Sequence, residues 1–279
     1  MSGLMRRRQF LRMAALAAPA VIATKLEAQS TPEKSATSQK PAEAPGSVSE
    51  LYPAQSTEMV REMVTVSHFD QKRVKELVSA RPTLAKAAWD WGFGDWESAL
   101  GAASHMGNRP IAEYLLANGA RPSLFSATML GQLDVVKTFI AAQPGVQRTP
   151  GPHSISLLAH AKAGGTAAKP VYDFLQTLGD ADAQPEAALS DSDRTKILGK
   201  YIFGSSANEQ VDVTFEKGHL TWTRKGTTGR WLFHLGDNVF YPSGAAAVRI
   251  RFVEESGAAV MTVSDPDLVL RARMTRTVL

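Results

Sequence analysis

The residues able to do chemistry gather in one short stretch. Residues 89–97 read Trp-Asp-Trp-Gly-Phe-Gly-Asp-Trp-Glu. Three tryptophans, a phenylalanine and three carboxylates fall within nine positions, and His105 follows eight residues later. Asp90, Asp95, Glu97 and His105 are the side chains from which a general acid and base would be drawn. His153 and His160 lie further on. No two histidines stand at i, i+4 on one predicted helix, so local spacing gives no metal pair. Ser154 adjoins His153, but sequence neighbours do not face each other as a nucleophile and its base must. Gly164-Gly165 is not followed by a basic residue with Ser or Thr, as a phosphate loop requires. The chain has no cysteine, which removes disulfides, thiolate metal sites and thiol nucleophiles. On these grounds no enzyme is expected, nor a metal or cofactor. His105, His153 and His160 are expected to fill structural places, with His153 and His160 bonding nearby backbone. An unseen hydrolase built on Asp90, Asp95, Glu97 and His105 is the least favoured alternative.

The aromatic stretch itself has two readings. Trp89, Trp91, Phe93 and Trp96, with His105, could form a partner-binding tip, since tryptophan is a frequent interface anchor. Equally, the rings could pack onto neighbouring helices. Gly92 and Gly94 permit tight turns in either case.

The elements around this stretch form a repeat. Gly107 is followed by Ile111, Leu115-Leu116 and Gly119-Ala120; Gly131 by Val135 and Phe139-Ile140; Gly164 by Val171, Phe174-Leu175 and Gly179. Asp70 takes the glycine's place in an earlier copy, followed by Val74 and Val78. Each unit reads as a helix, a turn and a second helix with apolar residues at helical spacing. Helices are predicted over residues 57–67 and 71–80, with Pro82 stopping the second. One helix pair cannot cover its own apolar face, whereas stacked pairs bury a continuous core. Residues 98–107, Ser-Ala-Leu-Gly-Ala-Ala-Ser-His-Met-Gly, resemble the opening of an ankyrin repeat, with Gly101 and Ala99 departing from its usual histidine and proline. The resemblance implies a degenerate four-unit stack that binds partners through its loops and concave face.

From about residue 191 the pattern changes to alternation. Residues 211–215 and 219–223 read as strands joined by a turn at Glu216-Lys217-Gly218. Further strands are predicted over 230–235, 238–241, 248–254, 259–264 and 268–274. Seven or eight short strands imply an antiparallel meander curling into a small barrel. Gly199-Lys200-Tyr201, the hairpin with Leu220 and Val248-Arg249-Ile250-Arg251-Phe252 resemble the small lipocalin-like domains attached to exported bacterial hydrolases. Trp222, Trp231, Phe215, Phe233, Phe240 and Phe252 are candidates for its interior, as core or as a pocket lining.

The fold class expected is therefore α+β: a helical repeat stack over 56–188, then a barrel over 189–279. Residues 29–55, rich in Ser, Pro, Ala and Glu, read as a disordered linker. Residues 1–28 read as an export signal. Arg7-Arg8-Gln9-Phe10-Leu11-Arg12 resembles a twin-arginine motif in which Arg7, Arg8, Phe10 and Leu11 carry the pattern. The apolar run after it is about half the ~20 residues a membrane span needs. Cleavage after Ala20, Ala23 or Ala28 is compatible with the small residues there. This segment holds five cations against one acid, while the rest of the chain is balanced at 26 against 26. Its basic charge is thus an export feature and gives no support to nucleic-acid binding. The expected role is a periplasmic, or otherwise extracytoplasmic, interaction module for an envelope protein, with no stable membrane span in the mature chain. The alternative is a small-ligand binding or sensing protein using the barrel or the groove beside it.

Overall fold

The first helix of each pair starts at a serine whose side chain caps it, and the second carries an apolar stripe. The computed structural model describes residues 52–206, 208–265 and 268–275, and these belong to one compact unit. The export signal and almost all of the predicted linker lie outside the described residues. Helix α1 (Thr57–Val66) starts at Ser56, whose side chain accepts from the Met59 N–H, and α2 (Gln71–Ala80) starts at Asp70, which accepts from Arg73. Each cap satisfies one of the N–H groups that a helix start leaves open. Three further pairs follow: α3 (Ala99–His105) with α4 (Arg109–Ala117), α5 (Leu124–Met129) with α6 (Leu133–Ala142), and α7 (Leu157–Ala163) with α8 (Lys169–Leu178). The first helices pack in the order α1, α3, α5, α7, and second helices flank them. Small residues permit this close approach: Ala99, Ala102, Ala103, Ala127 and Ala161 are all buried.

Gly107 shows why glycine follows a first helix. Its φ is +70°, and a Cβ there would lie 2.2 Å from the carbonyl oxygen of Ala163. Gly131 repeats both features against Ala167. Gly164 makes no left-handed turn. Its φ is −68°, Gly165 takes the positive φ, and a 3-10 turn covers Gly165–Ala168.

Between the first two pairs the chain makes a feature the sequence did not foretell. Strands β1 (Ala88–Asp90) and β2 (Trp96–Ser98) form a hairpin, with Trp89 opposite Glu97. Its turn spends Gly92, Phe93 and Gly94 at positive φ.

The last third closes into an eight-stranded antiparallel barrel. A short helix α9 (Asp191–Ile197), capped by Ser190, precedes it where alternation alone was expected. The strands are β3 (Gly199–Ile202), β4 (Gln210–Glu216), β5 (His219–Arg224), β6 (Arg230–Gly236), β7 (Val239–Pro242), β8 (Arg249–Glu255), β9 (Ala258–Asp265) and β10 (Leu268–Thr275). Consecutive strands pair, and β10 returns to β3, so no open edge remains. Tyr201, Trp222, Phe240, Ile250, Phe252 and Met261 fill the core of the barrel. Three of the predicted interior rings are elsewhere. Phe233, two residues from Trp231 on the same face of β6, is buried in a stack with Tyr241 and is not part of the barrel core. Trp231 is half-exposed because its neighbours Arg230 and Leu232 take the buried parity, and Phe215 is exposed at a strand end under the Arg194 guanidinium. Among the described residues no helix is long and apolar enough to cross a membrane.

Candidate functional site

The hairpin delivers a carboxylate into the protein interior. Glu97 lies on β2 and is fully buried. Three imidazoles face it, each from a different element. His68 comes from the turn after α1, His105 from the last turn of α3, and His153 from a 3-10 turn over Pro152–Ser154. Their Nε2 atoms lie 3.4, 2.9 and 3.3 Å from the Glu97 carboxylate oxygens. One ligating atom from each of the four residues falls within 4.8 Å of the others.

The opposite ring nitrogens fix which atoms face inward. His68 Nδ1 lies 3.1 Å from the Val64 carbonyl and 3.0 Å from that of Thr65, so it carries the hydrogen. His153 Nδ1 donates to Asp95 Oδ2 at 2.8 Å, and the His153 backbone N–H donates to Asp95 Oδ1 at 2.9 Å. Both rings are thereby turned with Nε2 toward Glu97. This is the arrangement by which outer partners orient metal-binding histidines. The Trp91 indole N–H donates to Glu97 Oε2 at 2.8 Å, a further outer contact. His105 Nε2 and Glu97 Oε1 are close, but their alignment is not that of a hydrogen bond. Neither atom has another hydrogen-bond partner among the described residues. Each is therefore the other's near polar neighbour, in a place where a buried polar group left without a partner is costly.

The electrostatics follow from burial and charge. Burial alone would raise the Glu97 carboxyl; His105 and His153 outweigh it and pull it down to about 2. Burial would lower His153; the Asp95 and Glu97 carboxylates instead push it up to about 9. His68 is lowered, chiefly by burial, with His105 adding to the effect. His160 is driven down to about 4 by burial.

His153 is held at a backbone cost. It has φ +59° and Ser154 has φ +63°, two successive non-glycine residues in the left-handed region. Such strain costs of order 1–3 kcal/mol per residue and persists only where surroundings impose it. The imposing contacts are Asp95 accepting from the backbone N–H and from Nδ1 of His153, and Ser154 Oγ accepting from the Gly244 N–H of the barrel.

Arg230, at the start of β6, joins the barrel to this site. It is 7% exposed and donates to Asp95 Oδ2, to the Ser243 carbonyl, and to the Trp91 and Gly92 carbonyls. Beside it opens a cleft of about 430 Å³, lined by His68, Trp91 and His153 on the helical side and by Thr228, Arg230, Trp231 and Ser243 on the barrel side.

Comparison with protein-family models, with curated proteins and with solved structures finds no match to this chain.

The structure distributes the sequence candidates unevenly. Glu97 and His105 sit in the cluster, and Asp95 stands directly behind His153. Asp90 instead caps the hairpin turn through the Gly92 N–H. Trp91 contacts the cluster, Trp89 packs on the helical core, Phe93 packs toward the barrel beside Trp222, and Trp96 is 65% exposed. His160 bonds the Ser156 carbonyl, as expected of a structural histidine, and stands outside the cluster. His153 corrects the same expectation: its ring bonds two carboxylates more than fifty residues away, because tertiary folding and not local backbone supplies its partners. His68 was not singled out. A signal existed, since His68 lies two residues before Asp70 and His105 two before Gly107, the same offset in adjacent helix pairs. Stacking brings the two rings to 4.9 Å.

Proposed function

We propose that this protein carries a mononuclear divalent transition-metal site at the floor of the cleft between its helical part and its barrel, and that the cleft binds a small ligand there. The observation that carries this reading is convergence. Three imidazole Nε2 atoms and one carboxylate face a common point, while Asp95 and the Val64 and Thr65 carbonyls hold two rings from behind. Nitrogen-rich donor sets of this kind suit zinc, iron, manganese, cobalt or nickel, and disfavour magnesium and calcium. His68, Glu97, His105 and His153 are the ligands in this reading, and Asp95 and Trp91 are their orienting partners.

The test is metal analysis of the full chain purified without chelator, followed by Zn²⁺ and Co²⁺ titration of the stripped protein. One equivalent per chain is expected, with loss of that equivalent in His105→Ala and retention in His160→Ala. A stripped protein that takes up none of Zn²⁺, Co²⁺, Fe²⁺, Mn²⁺ or Ni²⁺ would leave a purely structural charge network and defeat the proposal.

An ankyrin-like identity for the helix pairs draws support from Gly107 and Gly131, which close first helices at positive φ. A partner-binding role for the aromatic stretch draws support from exposed Trp96, while Trp89, Trp91 and Phe93 have intramolecular contacts. Twin-arginine export to the periplasm rests on residues 1–28 alone. That route carries folded proteins, so a metal acquired in the cytoplasm would travel with the chain.

A further inference from the structure

The four proposed ligands are not equally placed. Glu97 and His105 are sealed within the helical part, with side chains 0% and 7% exposed, whereas His68 and His153 are 19% and 31% exposed and line the cleft. Any access to the bound ion is therefore from the cleft side. The volume, about 430 Å³, lies in the range of small-molecule sites.

The cleft's other walls define what can lie against them. Trp91, Ile155 and Trp231 are its large apolar surfaces. Arg230 is the cation in its lining, but its guanidinium is already engaged by Asp95 and three backbone carbonyls. It cannot turn to a ligand anion without releasing a buried carboxylate. Thr228 and Ser243 are neutral hydroxyl residues. A polyanion such as a nucleotide or sugar phosphate would thus find no free cation in this lining. One strongly polar anchor remains, the metal at the floor.

We infer that the cleft takes a small carboxylic acid with an aromatic body, its carboxylate coordinating the metal from the side of His68 and His153 and its ring lying between Trp91 and Trp231. This rests on the metal reading above and adds the class of ligand. Burying one ring against these walls distinguishes an aromatic acid from acetate, which offers the same carboxylate and no body. The expected difference is about tenfold or more in affinity, the effect of removing part of a ring from water.

The experiment uses the full chain loaded with Co²⁺, whose visible absorption responds to a change in its ligands. Benzoate and acetate are titrated separately and followed by that absorption and by calorimetry. Benzoate is expected to alter the spectrum and to bind at least about tenfold more tightly than acetate. Stripping the metal should abolish benzoate binding. Trp231→Ala should bring benzoate close to acetate while Co²⁺ affinity stays unchanged. Trp231 is half-exposed and Co²⁺ uptake reports that the variant is folded. If Co²⁺ binds but neither acid changes the spectrum, or both bind equally, the ligand inference is wrong and the metal site stands. If Co²⁺ does not bind, both fall together.

Discussion

Replacing Arg230 by methionine tests whether the barrel sets the geometry of a site to which it contributes no proposed ligand of the metal. Methionine keeps an unbranched apolar stem and deletes the guanidinium. That group is buried, donates four hydrogen bonds, and is 3.0 Å from Asp95. Breaking a buried ion pair from one side costs about 3–5 kcal/mol. Asp95 retains both hydrogen bonds from His153, so the lower end applies, about 3 kcal/mol. For a unit of this size each kcal/mol moves the melting temperature by roughly 2–4 °C, giving a fall of about 6–12 °C. The assay is thermal and urea unfolding of the stripped protein, with Asp95→Asn and the double variant completing a cycle. A coupling of about 1.5–3 kcal/mol is expected for groups in direct contact. The second readout is Co²⁺ affinity. Arg230 holds the Trp91 and Gly92 carbonyls and Asp95, which in turn orients His153; loosening them should weaken metal binding about 10–100-fold although no ligand is changed. A melting temperature within about 2 °C of the parent, with unchanged Co²⁺ affinity, would refute the argument that this contact positions the site.

Three further outcomes follow from the same geometry. Gly107→Ala should destabilise by about 3 kcal/mol or more, because a positive φ is joined by collision with the Ala163 carbonyl; Gly179→Ala, at φ +73° in open space, should cost only about 1 kcal/mol, and equal losses by urea unfolding would contradict this. In the stripped protein His153 has its pKa raised from 6.5 to about 9, so its stabilising contribution is complete below pH 6.5 and is lost as pH rises through about 9. Unfolding free energy should fall over that window, and His153→Gln should flatten the fall. Restoring Zn²⁺ at a hundredfold excess over its dissociation constant should add about 2.7 kcal/mol, seen as a higher melting temperature that a chelator reverses.

Much of the architecture was legible because it depends on local chemistry. Apolar residues at helical spacing in residues 57–80, Pro82 after the second helix, and glycine after the first helices mark helix pairs whatever lies beside them. Alternation from residue 211 onward, broken by turn residues, likewise marks the hairpins, since a pleated strand turns successive side chains to opposite faces. The β1–β2 hairpin escaped because two three-residue strands are too short to show a period.

The site was not legible in the same way. Its four donors span residues 68 to 153 and come from four elements, so no spacing within one helix announces them. Equivalent positions in adjacent pairs foreshadow His68 and His105, but nothing local ties either to Glu97 or His153. Local sequence pattern marks the helix pairs, the barrel strands and the donors available. Tertiary structure decided which donors meet. Stacking brings His68 to His105, the hairpin carries Glu97 inward, and Asp95, held from the barrel by Arg230, fixes His153 through contacts that exist only once both parts have folded against each other.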